Sequence, residues 1–164
     1  MVPYATPEWL EAVRKNYTAD PDNQGKIFKG LNLFLTFHIE PDPGFGIEKD
    51  LYFGIHWIDG VLQPDSVHMS RADAEKKSDF ILAAPPALWK KMIKREAGFV
   101  SVFMTGKIKM DKGSGPKIMA LASKSPPVVE AFNRVDTEWP DEMSGPRLKE
   151  YAARMEDFRR RMRV

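Results

Sequence analysis

From Leu31 to Ile39 every second residue is apolar: Leu31, Leu33, Leu35, Phe37 and Ile39. Side chains of a strand alternate between its two faces, so a period of two sustained this long specifies a strand with one buried face. Leu51, Phe53, Ile55 and Trp57 repeat the pattern, and Asp59-Gly60 follows at once. Asp-Gly between apolar segments favours a two-residue hairpin, with Val61-Leu62 starting the returning strand. Pro41-Asp42-Pro43-Gly44 ends the first strand in a loop.

The flanking segments read as helices. Thr6-Pro7-Glu8 supplies an N-cap, a proline in the first turn and an acid near the positive end of the helix dipole. Trp9, Leu10, Val13 and Tyr17 then recur at helical spacing, predicting a helix over 6–18. A second short helix is expected from Gln24 to Gly30, and the charged stretch Ser70 to Lys77 reads as a loop or short helix. Phe80 to Ala83 reads as a fourth strand, and Pro85-Pro86 opens a helix running through Lys94. Phe103-Met104 forms an apolar patch before Gly106, and a fifth strand is expected over Lys107 to Met110. Pro116 opens a short helix to Ser123, and Val128 to Val135 continues helically beyond Pro126-Pro127. Leu148, Tyr151, Ala152, Met155, Phe158 and Met162 form one stripe on a last amphipathic helix from Pro146 to Met162. Strands and helices that do not alternate strictly indicate an α+β domain with a mostly antiparallel sheet and helices on one face.

At 164 residues the chain suits one domain, 1–164. Its formal net charge of +2 gives no footprint for nucleic acid. The absence of cysteine removes thiolate chemistry and fits a reducing compartment. Met1-Val2-Pro3-Tyr4 meets polar residues at once, unlike a signal peptide, and no apolar run approaches the roughly 20 residues of a membrane span. Arg161-Met162-Arg163-Val164 is no peroxisomal address, so a cytoplasmic location is expected.

The segment from Ser78 to Leu121 carries a further resemblance. Asp79-Phe80-Ile81-Leu82 is an acid followed by a short apolar strand, and a helix follows it. Phe103-Met104-Thr105-Gly106-Lys107-Ile108-Lys109-Met110 then joins an aromatic, a Gly-Lys pair and alternating lysines. Val61-Leu62-Gln63-Pro64-Asp65-Ser66 stands where a Val-Leu-Pro-like step is expected in the third strand. In this order and spacing the chain resembles the sterol carrier protein type two family over residues 31–123, with a charged insertion near 71–77 and a helical extension over 124–164.

The resemblance implies a five-stranded sheet with helices covering one face, an apolar tunnel between them, and here an added C-terminal amphipathic helix. It also implies binding and transfer of a lipid-like molecule (fatty acid, acyl-thioester, phospholipid or sterol) without catalysis and without a cofactor. Burying an alkyl chain gains about 0.8 kcal/mol per CH₂, so such a site needs apolar walls. The expected wall residues are Trp89, Met92, Ile93, Phe103, Met104, Ile108, Met110, Ile118, Met119 and Leu121. They equally suit a filled core, in which case the fold serves as an accessory module acting through homodimer or partner contacts of the last helix.

Other motifs carry less. Gly106-Lys107 lacks the spacing and the Ser or Thr of a phosphate loop, and Gly106 and Gly113 read as turn residues. If Ile58 pairs with Val61, His56 lies opposite Gln63 and His68 near Leu51, which separates His38, His56 and His68 too far for one metal ion. Asp65, Ser66 and His68 read as solvated loop residues rather than a catalytic set. The tail from Pro146 to Val164, which contains the last helix, holds seven basic residues against three acidic ones. It either packs its stripe on its own domain with the arginines in water, or meets an anionic membrane, a partner groove or nucleic acid.

Overall fold

The computed structural model describes residues 1–164. In chain order the elements begin with β1 (Val2–Pro3), α1 (Pro7–Ala19), β2 (Leu33–Ile39), β3 (Leu51–Ile58), β4 (Val61–Leu62) and β5 (His68–Met69). They continue with α2 (Arg71–Lys77), β6 (Phe80–Ala84), α3 (Pro86–Ile93), α4 (Phe99–Met104) and β7 (Lys109–Lys112). The chain ends with α5 (Gly115–Ala120), α6 (Ser125–Asn133), β8 (Thr137–Glu138) and α7 (Gly145–Met162). A π-helical turn spans Asn23–Ile27, and a 3-10 turn at Ala122–Lys124 joins α5 to α6. No helix is long and apolar enough to cross a membrane.

The main sheet runs β4-β3-β2-β6-β7, with β5 also paired to β3. It is mostly antiparallel; β2 and β6 are its parallel pair. Six strands replace the expected five, because the return from β4 breaks and re-forms as β5. A separate two-stranded ribbon pairs β1 with β8 in parallel.

The register puts the alternating residues on one face. Leu33 pairs with Trp57, Leu35 with Ile55, Phe37 with Phe53 and Ile39 with Leu51. On the other side of β2, Phe37 lies beside Leu82 and Ile39 beside Ala84. This face meets α1, α3 and α6 in a core of 30 buried residues that also takes in Tyr151, Met155 and Phe158 of α7. The expectation of one covered face needs correction. Phe34, Tyr52, Met69, Ala74 and Ile81 form a second, smaller cluster on the opposite face, under α2. Ser70 caps that helix by accepting from the Asp73 N–H, so the charged stretch is a helix whose small Ala74 docks on the sheet.

The Asp59-Gly60 hairpin forms as expected, with φ of 49° and 76° at its two residues. A Cβ on Gly60 would lie 2.2 Å from the Phe28 carbonyl oxygen, so the position takes glycine alone. Beyond it the register slips by two residues. His68 pairs with Phe53 rather than lying near Leu51, because a turn at Gln63–Ser66 absorbs the difference.

The segment after Gly98 departs most from expectation. Phe99–Met104, where only an apolar patch at Phe103-Met104 is expected, is a helix, and the next strand starts at Lys109 instead of Lys107. Gly106 explains both. With φ of 73° it closes α4: its N–H bonds the Phe103 carbonyl, and the Lys107 N–H bonds that of Val102. Those two bonds make a Schellman motif, which uses the residues expected to open the strand.

Candidate functional site

Between the apolar sheet face and its covering helices lies a cavity of about 120 Å³, lined by 23 residues of which 21 are hydrophobic. The floor is the alternating set of β2 (Leu33, Leu35, Phe37, Ile39) with Phe53 and Trp57 of β3 and Leu82 of β6. Period-two patterning in two hydrogen-bonded strands therefore builds one continuous wall. Trp89, Met92 and Ile93 of α3 and Val128, Val129 and Phe132 of α6 form the opposite wall. Leu31, Ile93, Phe99, Leu121 and Val128 line the space and, like Leu35 and Phe37 of the floor, are half-buried; because these five lie outside the sheet, we place the mouth among them.

Two polar residues stand in the wall, Lys124 and Ser125, side by side at the entry to α6. The Ser125 hydroxyl donates to the Ala122 carbonyl and is turned to local structure. Lys124 Nζ donates to the Ile27 carbonyl at 2.6 Å and lies 5.7 Å from the centre of the Phe28 ring. Phe28 in turn stacks on Trp57 with 1° between their planes. A cation, a phenyl ring and an indole are thus layered at one end of the cavity, and no carboxylate pairs with the cation. A cation over an aromatic face is held by the ring quadrupole, which fixes the ammonium at the rim.

The expected wall divides in two. Trp89, Met92, Ile93, Ile118 and Leu121 line the cavity. Phe103, Met104, Ile108, Met110 and Met119 do not, and the structure corrects their placement. Met104 is 71% exposed, because α4 turns it outward. Phe103 stacks on Phe99 behind the wall, with ring centres 5.8 Å apart. Ile108 is buried in the core, and Met110, beside Leu82 in the sheet, and Met119 pack against that core without reaching the cavity.

Sequence reasoning missed the sheet floor as a wall, although its alternation was plain. It also missed Phe28, Val128 and Lys124. The apolar pattern of 128–135 marked a helix; only the register shows that it faces β2.

The histidines are used separately. His38 sits between Asp111 on Nδ1 and Asp50 on Nε2, at 2.6 and 2.5 Å, and stacks on Tyr52. His56 Nδ1 is 2.8 Å from Asp65, while Ser66 Oγ accepts from the His56 backbone N–H. His68 donates from Nε2 to the Ala5 carbonyl at 2.8 Å, and burial pulls its pKa down to about 4. Ser66 and His68 are therefore buried structural groups, not the solvated loop residues expected. No cluster of three metal-ligating side chains occurs.

The extension beyond Ser123 splits by role. Its first helix, α6, supplies cavity wall, whereas α7 supplies none. Most of the α7 stripe is spent on its own domain, with Met162 alone left exposed: the Tyr151 hydroxyl donates to the Tyr4 carbonyl at 2.7 Å, and Phe158 packs edge-on to His68. Arg159 donates to the carbonyls of Lys49 and Asp50, tying the end of α7 to the loop before β3.

An α+β domain that encloses an apolar cavity between one sheet face and its helices defines a known architecture. The chain has the sterol carrier protein 2 fold. A crystal structure of sterol carrier protein 2 superposes with a TM-score of 0.68 at 19% identity, covering 79% of this chain and 97% of that one. A conserved hypothetical protein of Thermus thermophilus, described as a possible sterol carrier protein, gives 0.70 at 18% identity, over 84% and 93%. The apo form of sterol carrier protein 2 from Yarrowia lipolytica gives 0.51 at 19% identity, over 76% and 90%. At identities this low, the superpositions show the architecture alone. No protein-family model and no curated protein matches the sequence.

Proposed function

We propose that this protein binds and transfers, without transforming it, an elongated apolar molecule with one polar end. The observation that carries this reading is the composition of the cavity wall, hydrophobic at 21 of 23 positions, with both polar residues together at the rim. An apolar space of this size stays dry and accepts an apolar body: an empty cavity of roughly 150 Å³ takes benzene. A longer chain enters by displacing the half-buried side chains of the mouth, which have the room to move that a closed core denies. Each CH₂ then leaves water for about 0.8 kcal/mol.

Lys124 gives the ligand a direction. Its ammonium uses one carbonyl acceptor and keeps further N–H donors for an incoming carboxylate, phosphate or hydroxyl. The wall offers a reacting centre no carboxylate or histidine, and Ser125 has no base beside it, which favours carriage over chemistry.

Mass spectrometry of an organic extract of the purified protein, paired with displacement of a fluorescent fatty acid, tests the reading. Bound lipid and a saturable probe signal are expected. Val128→Trp, which fills the mouth, should abolish the signal while the circular dichroism spectrum stays native. Equal probe binding by wild type and Val128→Trp, or no uptake by the wild type, would overturn it.

A further inference from the structure

The mouth of the cavity lies beside a basic stretch of the chain. Residues 86–124 hold nine lysines and arginines against two acids, Glu96 and Asp111, whereas the whole chain is only +2. Several of the nine are committed. Lys90 and Lys94 pair with Glu142, Arg95 with Glu130 and Lys109 with Glu40. Lys112 bonds the Glu75 carbonyl and Lys124 that of Ile27. Lys91, Lys107 and Lys117 are exposed and enter no ion pair. Of the two acids, Asp111 is held by His38, leaving Glu96 as the one free negative charge.

Among these lysines stands α4. One side of this short helix faces inward: Phe99 lines the cavity and Val102 is buried. The other side shows Val100, 47% exposed, and Met104, 71% exposed. Lys107 follows within a turn of Met104. Lys117 sits on α5, whose first residue, Gly115, lies against the Phe103 ring. Apolar side chains standing out of a basic surface at the door of an apolar cavity match an anionic bilayer. The side chains enter the acyl boundary while the ammonium groups meet lipid phosphates. A protein partner fits less well, since a stable interface needs about 800 Å² per side, far more than two side chains on a six-residue helix supply.

We propose that α4 is a membrane-docking element: Val100 and Met104 insert into an anionic lipid surface, Lys91, Lys107 and Lys117 hold the protein there, and the cavity mouth is presented to the bilayer. The contact belongs to this face rather than to α7, whose Tyr151, Met155 and Phe158 are buried inside the domain and which leaves a single large apolar side chain, Met162, exposed at its end. The inference deepens the carrier reading, but its test reads a different surface.

Co-sedimentation with vesicles of phosphatidylcholine alone, or mixed with phosphatidylglycerol, measures docking; uptake of a fluorescent fatty acid in vesicle-free buffer measures the cavity separately. Wild type should bind the mixed vesicles, release in high salt and ignore the neutral ones. The double variant Val100→Asp, Met104→Asp should lose vesicle binding roughly tenfold or more, as should Lys107→Glu, Lys117→Glu, with uptake in buffer unchanged. Lys149→Glu, Arg160→Glu on α7 should bind as wild type does. The proposal falls if wild type ignores anionic vesicles, if the α4 variants still bind, or if the α7 variant alone releases. It also falls if wild type sediments as a dimer that the α4 variants dissociate, because the face would then be covered by a second copy. Failed uptake in buffer with intact docking overturns the carrier reading and leaves this one standing.

Discussion

His68 shows how one side chain couples the sheet to both ends of the fold. Its ring lies edge-on to Phe158 of α7, and its Nε2 proton bonds the carbonyl of Ala5, a fully buried residue. Desolvation lowers its pKa to about 4, aided by Arg159 and opposed by the bond to Ala5 and by Glu8. The unfolded ring titrates near 6.5. Between these values the unfolded chain takes up a proton that the folded chain refuses. The stability at stake is therefore fully present above about pH 6.5, falls as the pH drops to about 4, and is level below that. The loss amounts to about 3 kcal/mol. His68→Gln, which keeps a donor for Ala5, should flatten this part of the profile in urea titrations at stepped pH. An unchanged slope would clear His68 of the effect.

At the scale of elements, α4 depends on the glycine just beyond its C-terminus. Six residues are too few to hold a helix unaided, so closure by Gly106 matters in proportion. A Cβ at Gly106 would touch nothing within 4 Å, so Gly106→Ala isolates the backbone cost of a positive φ. A loss of about 1 kcal/mol in urea unfolding is expected, with faster amide exchange along α4. Wild-type stability would mean that the cap can be made another way.

The same helix marks the limit of what was legible. The β2–β3 pairing, the Asp-Gly turn, the first helix and the α7 stripe all follow from periodicity and turn chemistry. Phe99 to Met104 is too short to show a period, and its Phe and Val residues favour strand, so its helicity depends on a cap seven residues from its start. The slip at Gln63–Ser66 was hidden for a related reason: a turn inside a return strand leaves no alternation to break. In the candidate site, the α3 wall was readable because the Pro-initiated helix fixes which residues face inward. The contribution of α6, and with it Lys124, depends on tertiary packing, which no local pattern records.

For the molecule as a whole, the cavity makes ligand length a measurable variable. Affinity for straight-chain carboxylates should rise about fourfold per added CH₂, following 0.8 kcal/mol each, and level off once the displaced mouth can yield no more. Calorimetry on a homologous series would show the slope and the break. A slope near zero from the shortest members onward would mean that the alkyl chain stays in water. The parallel ribbon of β1 and β8 bears on a different question, the timing of folding. Val2 and Pro3 pair only with Thr137 and Glu138, and the carbonyl of Tyr4 waits for Tyr151, 147 residues further on. Contacts so distant in sequence form late. On the ribosome, Val2, Pro3 and Tyr4 must stay unsatisfied until the segments that hold Thr137, Glu138 and Tyr151 have emerged, so the nascent sheet and its apolar floor wait for that seal.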